Sequence, residues 1–346
     1  MSTADGLLRQ GVAQPVDFRD NRGSKGSGIL DDSVLRLVYV LTDLIAPLAV
    51  GYWLKERQLV SEKNINRLIK VNVRLVYTML SLLSFWVLPL SWDLALIPLY
   101  GFLFILFPGA VGVVLGRRFK NLLVRGSYIA SAMLANIGTL GGVCAFILYN
   151  ETGFAYAQLI GTCQNIMLVL LVFPMSQYFY LKQNRLPIRQ GSRLHSFMKM
   201  FFSWNQLSLL GMMAGLALQG LGVERPAELA PFFQSLVHIG AWTAMMPVGY
   251  LMDFGRAKHY LRYTIDLCAI RFFLVPAFIF FSSRLVFRDP VLLNTFIILA
   301  STPTAINAVL ASKLYQLRTD LAVCSFILTT AIYLLVVFPL LFYLLV

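Results

Sequence analysis

Charge is what this sequence has least of. Asp, Glu, Lys and Arg make up only 13% of its 346 residues, about half the share of an ordinary soluble domain. That excludes a solvated globular surface of normal size. Histidine is nearly missing: His195, His238 and His259 are the whole set, and no two stand at a ligand spacing. No metal centre is expected, and no other cofactor. His238 reads as a packed helix residue. The four cysteines, Cys144, Cys163, Cys268 and Cys324, all fall in apolar stretches. They read as small buried hydrophobes, not as a disulfide framework. Paired acids, a His-Glu-x-x-His element and a Gly-x-Ser-x-Gly element are also missing, so nothing points to an enzyme. The net charge of +13 comes without the aromatic and basic interleaving of a nucleic-acid surface, and no nucleic-acid partner is expected.

What is there is apolar. Hydrophobic residues make up 58% of the chain and the mean hydropathy is +0.72. Apolar runs of roughly twenty residues recur along its length, and each can span a bilayer. Ten spans are expected, near 34–54, 65–88, 92–115, 124–149, 154–181, 204–222, 228–252, 260–283, 290–315 and 319–345. The fold class is therefore an all-α polytopic membrane protein with ten transmembrane helices, and its first partner is the lipid bilayer. Residues 1–33 are polar, with five aspartates and "NRGSKGSG". They lack an apolar core, so they read as a disordered tail and not a cleavable signal.

Basic residues set the orientation. Loops after odd-numbered spans hold 17 of them, and loops after even-numbered spans hold only Arg225, Arg284 and Arg288. Odd loops face the cytoplasm, and both termini lie on the non-cytoplasmic side of a plasma or bacterial inner membrane. The chain also repeats itself. "LVLLVFPMSQYF" (168–179) is echoed by "YLLVVFPLLFYL" (333–344) at an offset of 165. That offset corresponds to five spans, an odd number, so the second copy enters the membrane inverted. Residues 34–181 form the first five-helix repeat, 182–203 a basic cytoplasmic linker, and 204–346 the second repeat. Inverted repeats are the architecture of secondary transporters.

Two spans are interrupted. Span 9 contains Pro303 within "LASTPTAINAVLASKLY", and a proline cannot donate its backbone hydrogen bond. Span 4 reads "LANIGTLGGVCAFIL", with Asn136, Gly138, Gly141 and Gly142 weakening the helix. Freed backbone groups survive in a membrane only inside protein or beside a wet cavity. Two broken helices at matching places in inverted halves point to a binding site near the midplane. The breaks are expected at Gly138–Gly142 and Thr302–Thr304, with Asn136 and Asn307 facing each other. Gly112 and Gly116, like Gly211 and Gly215, read instead as small-residue packing faces.

At these residues the sequence resembles the auxin efflux carrier family, with its PIN-like and bacterial malate permease-like members. "STPTAINAVLASKLYQLRTDLAVCSFIL" is similar to the family's ninth and tenth spans, with the Pro-Thr-Ala-x-Asn element at Pro303–Asn307. "NIGTLGGVCAFILYNETGFAYAQL" is similar to its fourth and fifth, with an Asn-x-Gly-x-x-Gly element at Asn136, Gly138 and Gly141. The likeness runs from about residue 40 onward. It implies two inverted five-helix repeats whose broken helices 4 and 9 cross at the midplane. Helices 1, 2, 6 and 7 would form a scaffold, and helices 3–5 and 8–10 a transport domain moving like an elevator. It implies small organic anions as substrates, auxins or dicarboxylates among them. The sequence departs from the family where Val143 stands in place of a proline in span 4, and span 4 is therefore expected to be the less sharply broken.

Substrate binding is expected from Asn136, Gly138, Gly141, Pro303, Thr304, Asn307 and Arg271. Arg271 lies roughly three turns into span 8. Its guanidinium either supplies positive charge to an anion or stands in place of a coupling cation; the bland alternative is a pair with Asp266 or an interior carboxylate. Asp320 opens span 10, either as a carboxylate favoured by the helix dipole or as a proton-coupling acid. Coupling to H+ or Na+ is open on these grounds. Asp43 and Arg74 each fall about 15 Å deep from the cytoplasmic side at ~1.5 Å per residue. A structural ion pair between them is expected. Glu151 reads as a solvated residue near the outer surface.

The functional expectation is a secondary transporter of a small organic anion by alternating access, with the scaffold helices offering a surface for a homodimer. The alternative is a transport-inactive sensor or receptor that keeps the ligand site. A sensor usually carries an output domain, and the longest cytoplasmic loop, about 182–203, is of linker size.

Overall fold

The computed structural model describes residues 38–88, 92–187, 207–252 and 260–345. The tail 1–33, His195, His259 and residues 188–203 of the linker lie outside the described residues. Among the described residues 86% are helical and none forms a strand. The helices are α1 (40–56), α2 (Glu62–Trp86), α3 (Trp92–Gly116), α4 (Leu122–Met133), α5 (137–148), α6 (151–183), α7 (Leu207–Gly220), α8 (Leu229–Leu251), α9 (Leu261–Val286), α10 (Pro290–Ala300), α11 (Ile306–Leu314) and α12 (Thr319–Leu345). The protein is an all-α membrane protein, as its composition requires.

Several helix starts follow from single residues. Asn121 Oδ1 accepts from Leu123 N at 2.9 Å and Val124 N at 3.3 Å, capping α4. Asp289 caps α10 by accepting from Val291 N and Leu292 N, with Pro290 in the first turn. Both are polar side chains satisfying the donors that every helix start leaves free. Prolines shape the interiors. Wide turns at Val40–Ile45, Leu168–Val172, Ile270–Leu274 and Tyr333–Val337 each come just before a proline: Pro47, Pro174, Pro276 and Pro339. A proline removes one donor, and the preceding turn widens to re-place the freed carbonyl. The second and fourth of these turns are the two copies of the repeated Phe-Pro motif.

Five helical stretches are long and apolar enough to cross a membrane. One of them, Ile137–Gln183, has 47 residues. As a single rod it would reach about 70 Å, over twice a hydrocarbon core. It is folded in two. Tyr149 and Asn150 leave helical geometry, with Asn150 at φ 51°. Beyond that corner α6 returns along α5, with Gly153 against Ala145 and Gly161 against Gly138.

Two glycine seams join the halves of the sequence. A side chain at Gly51 or Gly249 would strike the backbone of the facing helix, at Met246 and Leu48 respectively. This locks α1 against α8. Gly211 and Gly215 likewise sit on the backbone of Thr78 and Leu82, locking α7 against α2. The expectation of small-residue packing faces holds here, and also at Gly112, which meets Ala132 and Ile129. Both seams run parallel. Asp43 meets His238 and Lys55 meets Met252, so α1 and α8 point the same way. Such close approach is how helices associate where lipid removes the hydrophobic drive.

Candidate functional site

α4 ends at Met133 and α10 at Ala300, each in mid-protein. Leu134 and Ala305 adopt extended backbone geometry. The two breaks pair antiparallel, Ala135 opposite Thr304. Asn136 N donates to Pro303 O at 2.8 Å, and Ala305 N donates to Leu134 O at 2.9 Å. Each break thus satisfies the other's freed groups, as buried backbone demands. The second break, at 301–305, falls where sequence placed it. The first does not: it occupies 134–136, and the expected Gly138–Gly142 is helical, with a wide turn over Ile137–Gly141. The opening is fixed by what it pairs with, not by the glycines. The offset of 165 would set Thr304 opposite Thr139; the pairing sets it opposite Ala135, about one helical turn earlier.

Two side chains complete the pairing, and sequence reasoning missed both. Gln164 from α6 clamps Ala135, donating from Nε2 to its carbonyl at 2.7 Å and accepting from its N–H at 3.0 Å. Thr329 from α12 accepts from Thr304 N at 3.0 Å. The signal was weak: Gln164 is one of three amides in an apolar run, with Gln158 and Asn165, and only Thr329, its mate at the offset of 165, marks it out.

Arg271 is wholly buried. Its Nη2 donates to Ala132 O at 2.5 Å and to Ser131 O at 3.4 Å, the terminal carbonyls of α4. Thr304 Oγ1 donates to the same Ser131 O at 3.2 Å. Nε and Nη1 of Arg271 have no partner. The bland alternative fails among the described residues: Asp266 pairs with Arg118, and no ion pair joins Arg271 to another carboxylate. Thus α4, α9, the second break and α12 meet at one point.

The other candidates divide. Asn136 is buried and its Oδ1 accepts from Thr139 Oγ1. Asn307 is half-buried in the first turn of α11. Gly138 has open space where a side chain would stand, while Gln158 Nε2 donates to its carbonyl at 3.1 Å. A Cβ on Gly141 would come within 2.8 Å of Leu299 Cδ2 and 2.9 Å of Thr302 Cγ2. Gly141 therefore lets the halves approach and offers a ligand nothing. Pro303 and Thr304 are buried in the crossing itself. Asp320 stands half-buried in the first turn of α12, which fits a dipole-favoured carboxylate.

Two expectations are corrected. Asp43 does not pair with Arg74. Asp43 Oδ2 lies 2.5 Å from His238 Nδ1, and Arg74 Nε is buried with no partner. The glycine seam turns Asp43 toward α8. Glu151 is not simply solvated. Arg225 holds it with two bonds, of 2.6 and 3.0 Å, and also donates to Leu83 O at 3.1 Å. The loop between α7 and α8 thereby reaches the α5–α6 corner.

A groove of about 170 Å³ lies elsewhere, lined by Leu106, Gly109, Val113, Met133 and Leu171 among others. It is apolar and cannot orient a carboxylate. Among the described residues no group of His, Cys, Asp and Glu could hold a metal ion. The chain matches no protein-family model and no curated protein.

Proposed function

We propose that this chain is a secondary transporter that carries a small organic anion across a cell membrane by alternating access. The observation that carries it is the pairing of two broken helices, sealed with polar groups and a fully buried guanidinium. Such an arrangement costs stability in lipid and is kept where it lines a site. An anion near the break would meet the N-terminal turns of α5 and α11, whose free donors and partial positive charge suit a carboxylate. Asn136 and Asn307 stand in those turns, and Gly138 leaves space beside them.

In this proposal the chain makes ten crossings in two inverted five-helix repeats. Several features support that count: the α5–α6 reversal, the parallel seams, and the matched wide turns before Pro174 and Pro339. Helices α1, α2, α7 and α8 would serve as scaffold, and the rest would move as an elevator. The basic loops would face the cytoplasm, with both termini outside. The likeness to auxin efflux carriers points to mono- or dicarboxylates.

Purified protein in proteoliposomes, offered radiolabelled malate, succinate and indole-3-acetate under imposed gradients, tests this. Uptake of at least one above empty vesicles is expected. Asn307→Ala should abolish that uptake while leaving the thermal midpoint nearly unchanged. If uptake per folded molecule survives the substitution, Asn307 is only part of the helix. Binding without uptake would favour a sensor.

A further inference from the structure

Among the described residues only two charged side chains are buried, Asp43 and Arg271, and only Arg271 is fully enclosed. Asp43 has a histidine beside it. Arg271 has no carboxylate within ion-pair reach, and Asp266, five residues before it on α9, is paired with Arg118. A guanidinium does not give up its proton in proteins. It is therefore a full positive charge, sealed from water and lacking an acidic partner. What faces it is the C-terminal end of α4, where Ser131 O and Ala132 O carry part of the helix's negative end. That end accounts for about half a charge. The rest is uncompensated, and two nitrogens, Nε and Nη1, which carry three of the five N–H groups, have no partner.

The oxygens at this point are those a small hard cation would choose. Ser131 O takes both Arg271 Nη2 and Thr304 Oγ1, and Ala132 O lies alongside. Carbonyl and hydroxyl oxygens at the end of an unwound helix are the usual ligands of a coupling Na+ in broken-helix transporters. Here the ligand carbonyls are already occupied by an arginine that cannot leave.

We propose that Arg271 is a resident counter-cation. It holds the position on the α4 terminus that a co-transported metal ion would otherwise fill, and it leaves the crossing with residual positive charge that favours a carboxylate without a co-ion. The proposal rests on the transporter reading for its anion, but not for its cation. Arg271 is enclosed in this state, so it acts on an anion at the break through the field it sets and through the shape of α4. It is a positioning residue.

Thermal unfolding of the detergent-purified protein separates the two. Wild type is measured at matched ionic strength in NaCl, KCl, choline chloride and sub-denaturing guanidinium chloride, alongside Arg271→Ala, Arg271→Met and Arg271→Lys. Wild type should unfold at one midpoint in NaCl, KCl and choline chloride. Arg271→Ala should lose about 5 °C or more, and regain part of it in NaCl or guanidinium chloride but not in choline chloride. Arg271→Met fills the space without charge and should show no such rescue. Arg271→Lys should fall between wild type and Arg271→Ala. A Na+-specific rise in wild type would overturn the proposal, because the cation site would then still be open. So would an Arg271→Met protein as stable as wild type. If Arg271→Ala fails to fold, the wild-type and Arg271→Lys comparisons still decide. In proteoliposomes, uptake of malate or indole-3-acetate should be equal with Na+ or choline outside, and a several-fold Na+ requirement would count against the resident cation. If neither probe moves, the transporter reading suffers while the unfolding result stands on its own.

Discussion

The two broken helices solve one problem in opposite ways. α10 ends on local chemistry. Ser301 Oγ donates to Ile297 O at 2.8 Å and Thr302 Oγ1 to Leu299 O at 2.7 Å, so side chains within four residues cover its last carbonyls. Pro303 then keeps the helix from resuming. α4 ends on distant chemistry. Its last carbonyls are met by Arg271 from α9 and Thr304 from the other break, and the peptide beyond by Gln164 from α6. Nothing within 134–136 breaks a helix by itself. The first break is also the shorter, three residues against five at 301–305, and Val143 lies seven residues beyond it, inside α5. A break built locally persists when its neighbours move; one built from tertiary contacts can open when they do.

The sharpest way to break this comparison is to remove the matched clamps. Gln164→Leu strips Ala135 of two bonds and buries a bare N–H and a bare carbonyl. At ~1–3 kcal/mol for each unsatisfied group, a loss of about 3 kcal/mol is expected. Thr329→Val removes one acceptor from Thr304 N and should cost about 1 kcal/mol. Thermal or denaturant unfolding in detergent measures both. Equal losses would mean that the two halves are held alike, and the contrast between local and tertiary termination would collapse.

Gly141→Ala comes next. Its Cβ would press on Leu299 and Thr302, the last turn of α10 and the start of the second break. Overpacking of this kind costs about 1–3 kcal/mol. Leu299 Cδ2 is the tip of a flexible side chain and can give, while the Thr302 methyl is held by the Oγ1 bond to Leu299 O and cannot, so the middle of that range is expected. Pairing it with Thr302→Ser, which removes the struck methyl, should recover most of the loss. Failure to recover would show that Gly141 is needed for its backbone and not for its closeness.

These contrasts explain what sequence could and could not disclose. Helix existence was legible throughout, because a bilayer allows little else to an apolar run. The second break was legible because its cause is local: a proline, with hydroxyls close by. The first was misplaced by about a turn because Gly141 and Gly142 serve packing and the opening is chosen by the other break. Arg271 stood out as a charge buried in span 8, but carbonyls carry no sequence mark, so its partners did not. Asp43 shows the same limit. Counting residues places it along the helix, while the direction of its side chain depends on where Gly51 and Gly249 let two helices touch. Glu151 looked solvated because the Arg225 that holds it is far along the chain.

The smallest expected effect on stability is the most telling for the site. Gly138 stands one turn before Gly141 on the same half of the crossing, yet a Cβ there would meet nothing within 4 Å. If that space were merely a packing fault, Gly138→Ala would fill it. It would also stiffen the unfolded chain, together a gain of about 0.5–1 kcal/mol. Transport would then be unchanged or improved. If the space is where a ligand's carboxylate approaches the N-terminal turn of α5, the same methyl should leave the thermal midpoint level or slightly raised and cut malate or indole-3-acetate uptake several-fold. Gly138→Val should cut it further. The pair with Gly141→Ala makes the test specific: one glycine substitution should cost stability by clashing with α10, and the other should cost uptake without clashing with anything. Should Gly138→Val transport as wild type does, the open space beside Asn136 is not on the substrate's path, and the donors at the start of α5 face protein alone.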